Sequence, residues 1–194
     1  MRDSPPPPAP QLSTAAMLGL QFGIVVLAVV LAFLFRIDLL GQLEFTLESF
    51  NWAVVGTVPL LVSVWALADV RWGWAAELQR LMRQLVVPLF RTTPAGTVLL
   101  VSLLAGVGEE LLFRGVIQGG LSGVLGPWAA LVVASILFGA VHALTRAYFI
   151  IATLMGFYLG LMYLWTDNLL IPILIHFLYD WIVLRYYPFT DRSG

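Results

Sequence analysis

Apolar residues in this chain come in long unbroken runs and not in alternation. Leu12–Phe35 carries no charge and is long enough for a helix to cross a hydrocarbon core of about 30 Å. Further runs follow at about Phe50–Ala68, Gly96–Gln118, Pro127–Leu144, Ala147–Trp165 and Leu169–Tyr186. The pattern predicts an all-α membrane protein of about six transmembrane helices, because in lipid each span must satisfy its own backbone hydrogen bonds. Between the second and third runs, Asp69–Thr93 places Trp74, Leu78, Leu81, Met82, Leu85 and Leu89 at helical spacing, with Arg80 and Arg83 on another face. That is the signature of one amphipathic helix lying in the membrane surface. Met1–Pro10, with Pro5 to Pro8 in a row, reads as an extended tail. The expected division is a disordered tail over 1–11 and a single transmembrane domain over 12–187. Arg2 is offset by Asp3 and the first run is long, so a membrane helix is expected there and not a cleaved leader.

Composition agrees. The chain is 60% hydrophobic and 11% charged, with a mean hydropathy of +0.93, against roughly 45–50% and about 25% in soluble domains. A net charge of -1 provides no concentrated basic face, which excludes nucleic acid as a partner. With no cysteine, disulfides, thiol nucleophiles and thiolate metal sites are excluded as well. Charge placement suggests orientation. The connector carries Arg71, Arg80, Arg83 and Arg91, whereas Arg36–Ser49 holds Asp38, Glu44 and Glu48 against one arginine. The excess of arginine puts the connector in the cytoplasm, with both termini, Arg146, Arg185 and Arg192 on the same side. A multi-pass protein of the cell (inner) membrane is expected. Gly115 with Gly119, and Gly156 with Gly160, have the spacing that lets helices approach closely.

Six ionisable residues interrupt the apolar runs of the C-terminal half: Glu109, Glu110, Arg114, His142, His176 and Asp180. Unpaired at the centre of a bilayer, the four formal charges among them would cost on the order of 10 kcal/mol. They must therefore meet one another. Glu110 and Arg114 are four apart with the carboxylate first, the favourable order for an ion pair, while Glu109 lies about 140° around the helix from Arg114. Arg114 can thus neutralise Glu110 and leave Glu109 free. His176 and Asp180 are also four apart. Glu109 and His142 each lie roughly sixteen residues, about 24 Å of helix, from the turn expected at Gly126, which puts them at one level. Two histidines and carboxylates suit zinc, which takes nitrogen and oxygen ligands and lowers the pKa of a bound water towards about 7. A free carboxylate beside that water can act as general base and then protonate a leaving amine, which is peptide hydrolysis. A metal-free version, with Glu109 and His142 activating water and His176 stabilising the oxyanion, satisfies the same residues. Asp180 fits a metal ligand or a partner orienting His176 better than an oxyanion donor, because an ionised carboxylate cannot donate a hydrogen bond.

At these residues the chain resembles the CPBP family of intramembrane proteases, which includes CAAX prenyl endopeptidases and the bacteriocin-processing and immunity (Abi) proteins. Glu109-Glu110-Leu111-Leu112-Phe113-Arg114 matches the family's EExxxR motif, Phe138 to His142 its FxxxH motif, and His176 to Asp180 its HxxxN-type motif, with aspartate where asparagine is more usual. The resemblance covers roughly Val98–Val183 and implies an intramembrane metallo-endopeptidase with a catalytic core at about 96–187. It implies Glu109, His142, His176 and Asp180 as catalytic and zinc-ligating residues, with Glu110, Arg114 and Phe138 in support. The implied partner is a peptide or protein substrate at the lipid bilayer, prenylated or not. Two other classes stay open: a proton- or cation-coupled transporter, and a non-catalytic scaffold or immunity protein. The GxSG sequence Gly120–Gly123 resembles a rhomboid nucleophile, but neither histidine is followed by glycine three residues later, so Ser122 is not expected to act.

Overall fold

The computed structural model of the protein describes residues 13–68, 70, 73–91 and 93–186. The proline-rich tail, Arg71, Trp72 and Arg192 lie outside the described residues. Within them the regular structure is helical throughout. Helix α1 (Thr14–Phe35) starts where the Ser13 hydroxyl accepts the amide of Ala16, and it closes at Arg36 in the left-handed region. Helix α2 is Leu47–Ala68. The surface segment is α3 (Gly73–Leu81), a π turn (Met82–Val86) and α4 (Val87–Arg91). The expected amphipathic helix is thus present but interrupted. Its Ala75 and Leu81 are buried while Arg80 and Arg83 are exposed. Gln79 anchors it by donating to the carbonyls of Leu67 and Ala68 in the last turn of α2 and to that of Val70 just beyond.

The third apolar run is longer than its hydropathy indicates. Helix α5 (Ala95–Glu110), a π-helical segment (Leu111–Gln118) and α6 (Gly119–Leu125) form one continuous helix of 31 residues. Gly126, at φ 80°, supplies a backbone angle that side-chain-bearing residues avoid, and turns the chain into α7 (Pro127–Val141). Helix α8 (Arg146–Thr166) is capped by the Thr145 hydroxyl, and α9 is Leu170–Tyr186. Four helices, α1, α2, α5 to α6 and α8, are long and apolar enough to cross a membrane. Helices α7 and α9, of 15 and 17 residues, occupy the other two positions where the sequence predicts transmembrane helices, but they are shorter than the four candidate spans. The protein is an all-α membrane protein.

Helices α5 and α9 pack against each other at the centre; α1 covers α5 and the π segment, α2 covers α9, and α7 packs on α8. The inner seam is apolar: Ala28, Ala32, Leu111, Leu169 and Ile173 form one cluster, and Ala53, Leu159, Ile171 and Ile175 another. The two ends of the bundle differ. At the α8–α9 end the Asn168 amide ties two loops together, accepting from the amides of Glu44 and Leu170 and donating to Glu44 O and Ser49 Oγ. The opposite, α7–α8 end carries the arginine-bearing surface segment, and there the polar residues of the interior gather.

Candidate active site

The site is assembled around Glu110. Its Oε1 accepts from Arg114 Nη1 at 2.8 Å on the same helix and from His176 Nδ1 at 2.8 Å across the bundle. All three side chains are buried. The ion pair expected from spacing is present, and the link to His176 is new. Arg114 reaches further, donating from Nη2 to the Gly156 carbonyl at 2.8 Å, and one turn along Gln118 donates to the Gly160 carbonyl at 3.0 Å. The π-helical segment presents Arg114 and Gln118 side by side, and the glycines on α8 leave their carbonyls open. A Cβ at Gly160 would stand 2.6 Å from Gln118 Oε1. The Gly156/Gly160 pair therefore admits two polar side chains as well as a close helix. Removing one partner of a buried ion pair typically costs about 3–5 kcal/mol, because the other charge stays buried and uncompensated.

Phe138 is the apolar hub. Its ring lies 4.5 Å from His142, 5.9 Å from His176 and 5.1 Å from Phe113, and the Arg114 guanidinium sits 4.7 Å from its centroid. It thereby fixes the positions of both imidazoles relative to Arg114. A Cβ at Gly139 would collide with Thr153, so only glycine lets α7 and α8 close beside it.

His142 stands just past the last residue of α7, where helix carbonyls lose their partners. Its Nδ1 donates to one of them, Phe138 O, at 2.8 Å. A carbonyl can only accept, so in the neutral ring the proton sits on Nδ1 and Nε2 carries a lone pair. That Nε2 lies 3.6 Å from Glu109 Oε2, too far for a direct hydrogen bond. Glu109 Oε2 is buried and has no hydrogen-bond partner among the described residues. His176 repeats the arrangement: Nδ1 donates to Glu110, and Nε2 lies 3.6 Å from Asp180 Oδ2. The side chains of His142 and Asp180 are each 26% exposed, so the site opens at the α7–α8 end. Glu109, on the buried side, lies within electrostatic range of Asp180 and His176.

The structure therefore brings Glu109, His142, His176 and Asp180 to one region, from three helices, with Glu110, Arg114 and Phe138 beneath them. Both imidazoles are held through Nδ1 and present Nε2, the way metal-binding histidines are usually oriented. The donor chemistry thus fits zinc. In arrangement the donors form two pairs, and among the described residues no three of them cluster around one point. Ser122 is uninvolved; its hydroxyl donates to Gln118 O.

Three features escape the sequence reading. The Glu110–His176 bond joins residues 66 apart in sequence, and nothing local signals it. The docking of Arg114 and Gln118 on the carbonyls of Gly156 and Gly160 could have been found by matching two spacings of four. Tyr148, whose ring lies 6.2 Å from His142, is an aromatic residue near a span end and draws no attention by itself.

Comparison with known proteins is consistent with this geometry. Residues 91–182 match the model of the Rce1-like family, type II CAAX prenyl endopeptidase Rce1-like. The chain is 40% identical over 86 residues to the uncharacterized protein YpbD of Bacillus subtilis (strain 168), a stretch covering 43% of this chain and 41% of that protein. The chain thus spans less than half the length of the curated relative it matches. No solved structure matches. The matched segment contains every member of the polar constellation, Glu109, Glu110, Arg114, His142, His176 and Asp180, and over residues 91–182 the chain is similar to the Rce1-like family.

Proposed function

We propose that the protein is an intramembrane endopeptidase of the CAAX-protease-like type, hydrolysing a peptide bond of a membrane-associated substrate. The observation that carries this reading is the buried, unpartnered Oε2 of Glu109, 3.6 Å from a histidine nitrogen whose tautomer is set by Phe138 O. One water can donate its two hydrogens to Glu109 Oε2 and His142 Nε2 together, which leaves an oxygen lone pair aimed outward. As that oxygen adds to the substrate carbonyl, Glu109 takes the proton, and it then returns it to the leaving amine. Glu110 acts indirectly, holding His176 and neutralising Arg114 so that Glu109 stays the uncommitted carboxylate. The donors stand as two pairs, Glu109 with His142 and His176 with Asp180, so a zinc ion would require the pairs to draw together, and it would then supply a water already close to ionisation at neutral pH. The arginine-bearing end, which is also the open end, faces the cytoplasm in this proposal, and substrates enter from there.

The test is cleavage of membrane-associated peptides, with and without a farnesyl group, by the purified protein in liposomes. Cleavage by wild type and not by Glu109→Gln supports the reading, and cleavage that survives Glu109→Gln rejects it. Elemental analysis alongside separates the two versions of the mechanism. About one zinc per chain, lost in His142→Ala, supports the metal-bound water, and activity that persists in chelator supports the metal-free one.

A further inference from the structure

Water addition creates negative charge on the carbonyl oxygen, and an oxyanion requires hydrogen-bond donors. The carboxylates of Glu109 and Asp180 accept and do not donate, the Nδ1 protons of both imidazoles are already given to Phe138 O and Glu110, and the remaining nitrogen of His176, expected from the sequence to stabilise the oxyanion, faces the Asp180 carboxylate at 3.6 Å. The question is which side chain at the site still has a proton to offer.

Helix α8 carries three tyrosines. Tyr158 and Tyr163 use their hydroxyls in packing, donating to Gly56 O at 2.7 Å and to Gln42 Oε1 at 2.8 Å. Tyr148 is different. Its backbone amide is pinned by the Thr145 hydroxyl at 3.1 Å, which fixes the first turn of α8 beside the site. Its ring meets His142 edge-on at 6.2 Å. The side chain also lies within electrostatic range of both Asp180 and Glu109. Yet its hydroxyl makes no hydrogen bond among the described residues. An uncommitted donor stands beside His142 at a site otherwise furnished with acceptors.

We propose that Tyr148 is a catalytic residue whose hydroxyl donates a hydrogen bond to the oxyanion formed when water adds to the substrate carbonyl. This rests on the peptidase reading above. In that step the water oxygen bonds to the carbonyl carbon, one water proton passes to Glu109, and the carbonyl oxygen takes the negative charge opposite the Tyr148 O–H. Collapse breaks the carbon–nitrogen bond, and the amine leaves with the proton that Glu109 held. Tyr148 keeps its own proton throughout.

The experiment is steady-state cleavage by the full chain in liposomes, comparing wild type, Tyr148→Phe, Asp180→Asn and the double variant, with Glu109→Gln as the inactive reference. Loss of one oxyanion donor lowers kcat by about 10²–10³-fold, so Tyr148→Phe is expected to fall by that factor with KM unchanged. Its melting temperature is expected to stay that of wild type, since the hydroxyl holds nothing in the resting protein. An amide at position 180 can donate where the carboxylate cannot, so the double variant is expected to recover part of the lost kcat. Tyr148→Phe retaining wild-type kcat, or losing activity only together with a lowered melting temperature or a raised KM, overturns the assignment. Either result leaves the peptidase reading intact while wild type cleaves and Glu109→Gln does not. Absence of cleavage by wild type overturns both.

Discussion

Helices α1 and α2 on one side, and α5, α8 and α9 on the other, solve the same membrane problem differently. In the most apolar window of α1 only 11% of residues are buried within the protein, and in that of α2 17%, against 56% for the continuous α5 to α6 helix. The outer pair turns small or uncharged residues inward: Ala28 and Ala32 from α1, Ala53, Gly56 and Thr57 from α2. Its large side chains, among them Phe22, Phe33, Val55 and Trp65, stay exposed where lipid would cover them. The inner helices bury charge instead, in Glu109, Glu110, Arg114 and His176. Because charge in hydrocarbon is so unfavourable, it is tolerated only where each group meets a partner. The outer helices shield and the inner ones can react. Glu109 differs from Glu110 within this interior: the Glu110 carboxylate is held by Arg114 and His176, whereas Glu109 Oε2 is buried with no hydrogen-bond partner among the described residues and lies 3.6 Å from His142 Nε2.

This contrast can be broken at several points. The largest effect is expected from Glu109→Gln, which removes the proposed general base and leaves the hydrogen bonds of Glu110 to Arg114 and His176 in place. Cleavage should fall by about 10²–10⁴-fold while the melting curve in detergent stays that of wild type. Glu110→Gln should show the reverse emphasis, because the lost charge leaves Arg114 buried without its counter-ion. A loss of about 3–5 kcal/mol in unfolding free energy is the expected outcome of chemical denaturation in micelles. Equal loss of activity with intact folding in both variants would end the proposed division of roles.

Smaller effects sharpen the picture. Gly160→Ala would press a Cβ against Gln118 and Leu131, and overpacking of this kind costs about 1–3 kcal/mol. In α1, Gly19 and Gly23 face open space, and a Cβ there would meet nothing within 4 Å. Alanine there should leave stability unchanged or raise it by up to about 1 kcal/mol through helix propensity. If Gly23→Ala proved as damaging as Gly160→Ala in the same unfolding assay, α1 would not be a lipid-facing cover.

Much of this was legible in the chain because helices convert sequence distance into depth and face. Counting from Gly126 placed Glu109 and His142 at one level, and they lie 3.6 Å apart. A spacing of four gave the Glu110–Arg114 pair. What could not be read depends on rotation and contact between helices. Hydropathy falls off near Gln118, yet the helix runs on to Leu125 through a π segment, along which Arg114 and Gln118 are held by carbonyls on α8. Hydropathy likewise carries His142 inside the fourth run, whereas the helix stops at Val141 and leaves the imidazole free to take a terminal carbonyl. The second partner of Glu110, His176, is hidden for the same reason: spacing identifies neighbours on one helix, not across two.

The central claim, that the inner helices form a peptidase site with Glu109 as its base, is tested most directly without assuming a substrate. Membranes from cells expressing wild type or Glu109→Gln at equal level would be compared for newly formed peptide termini by mass spectrometry. The account predicts a set of termini in membrane-associated proteins that is present with wild type and absent with Glu109→Gln. Identical sets of termini in the two membranes would contradict it.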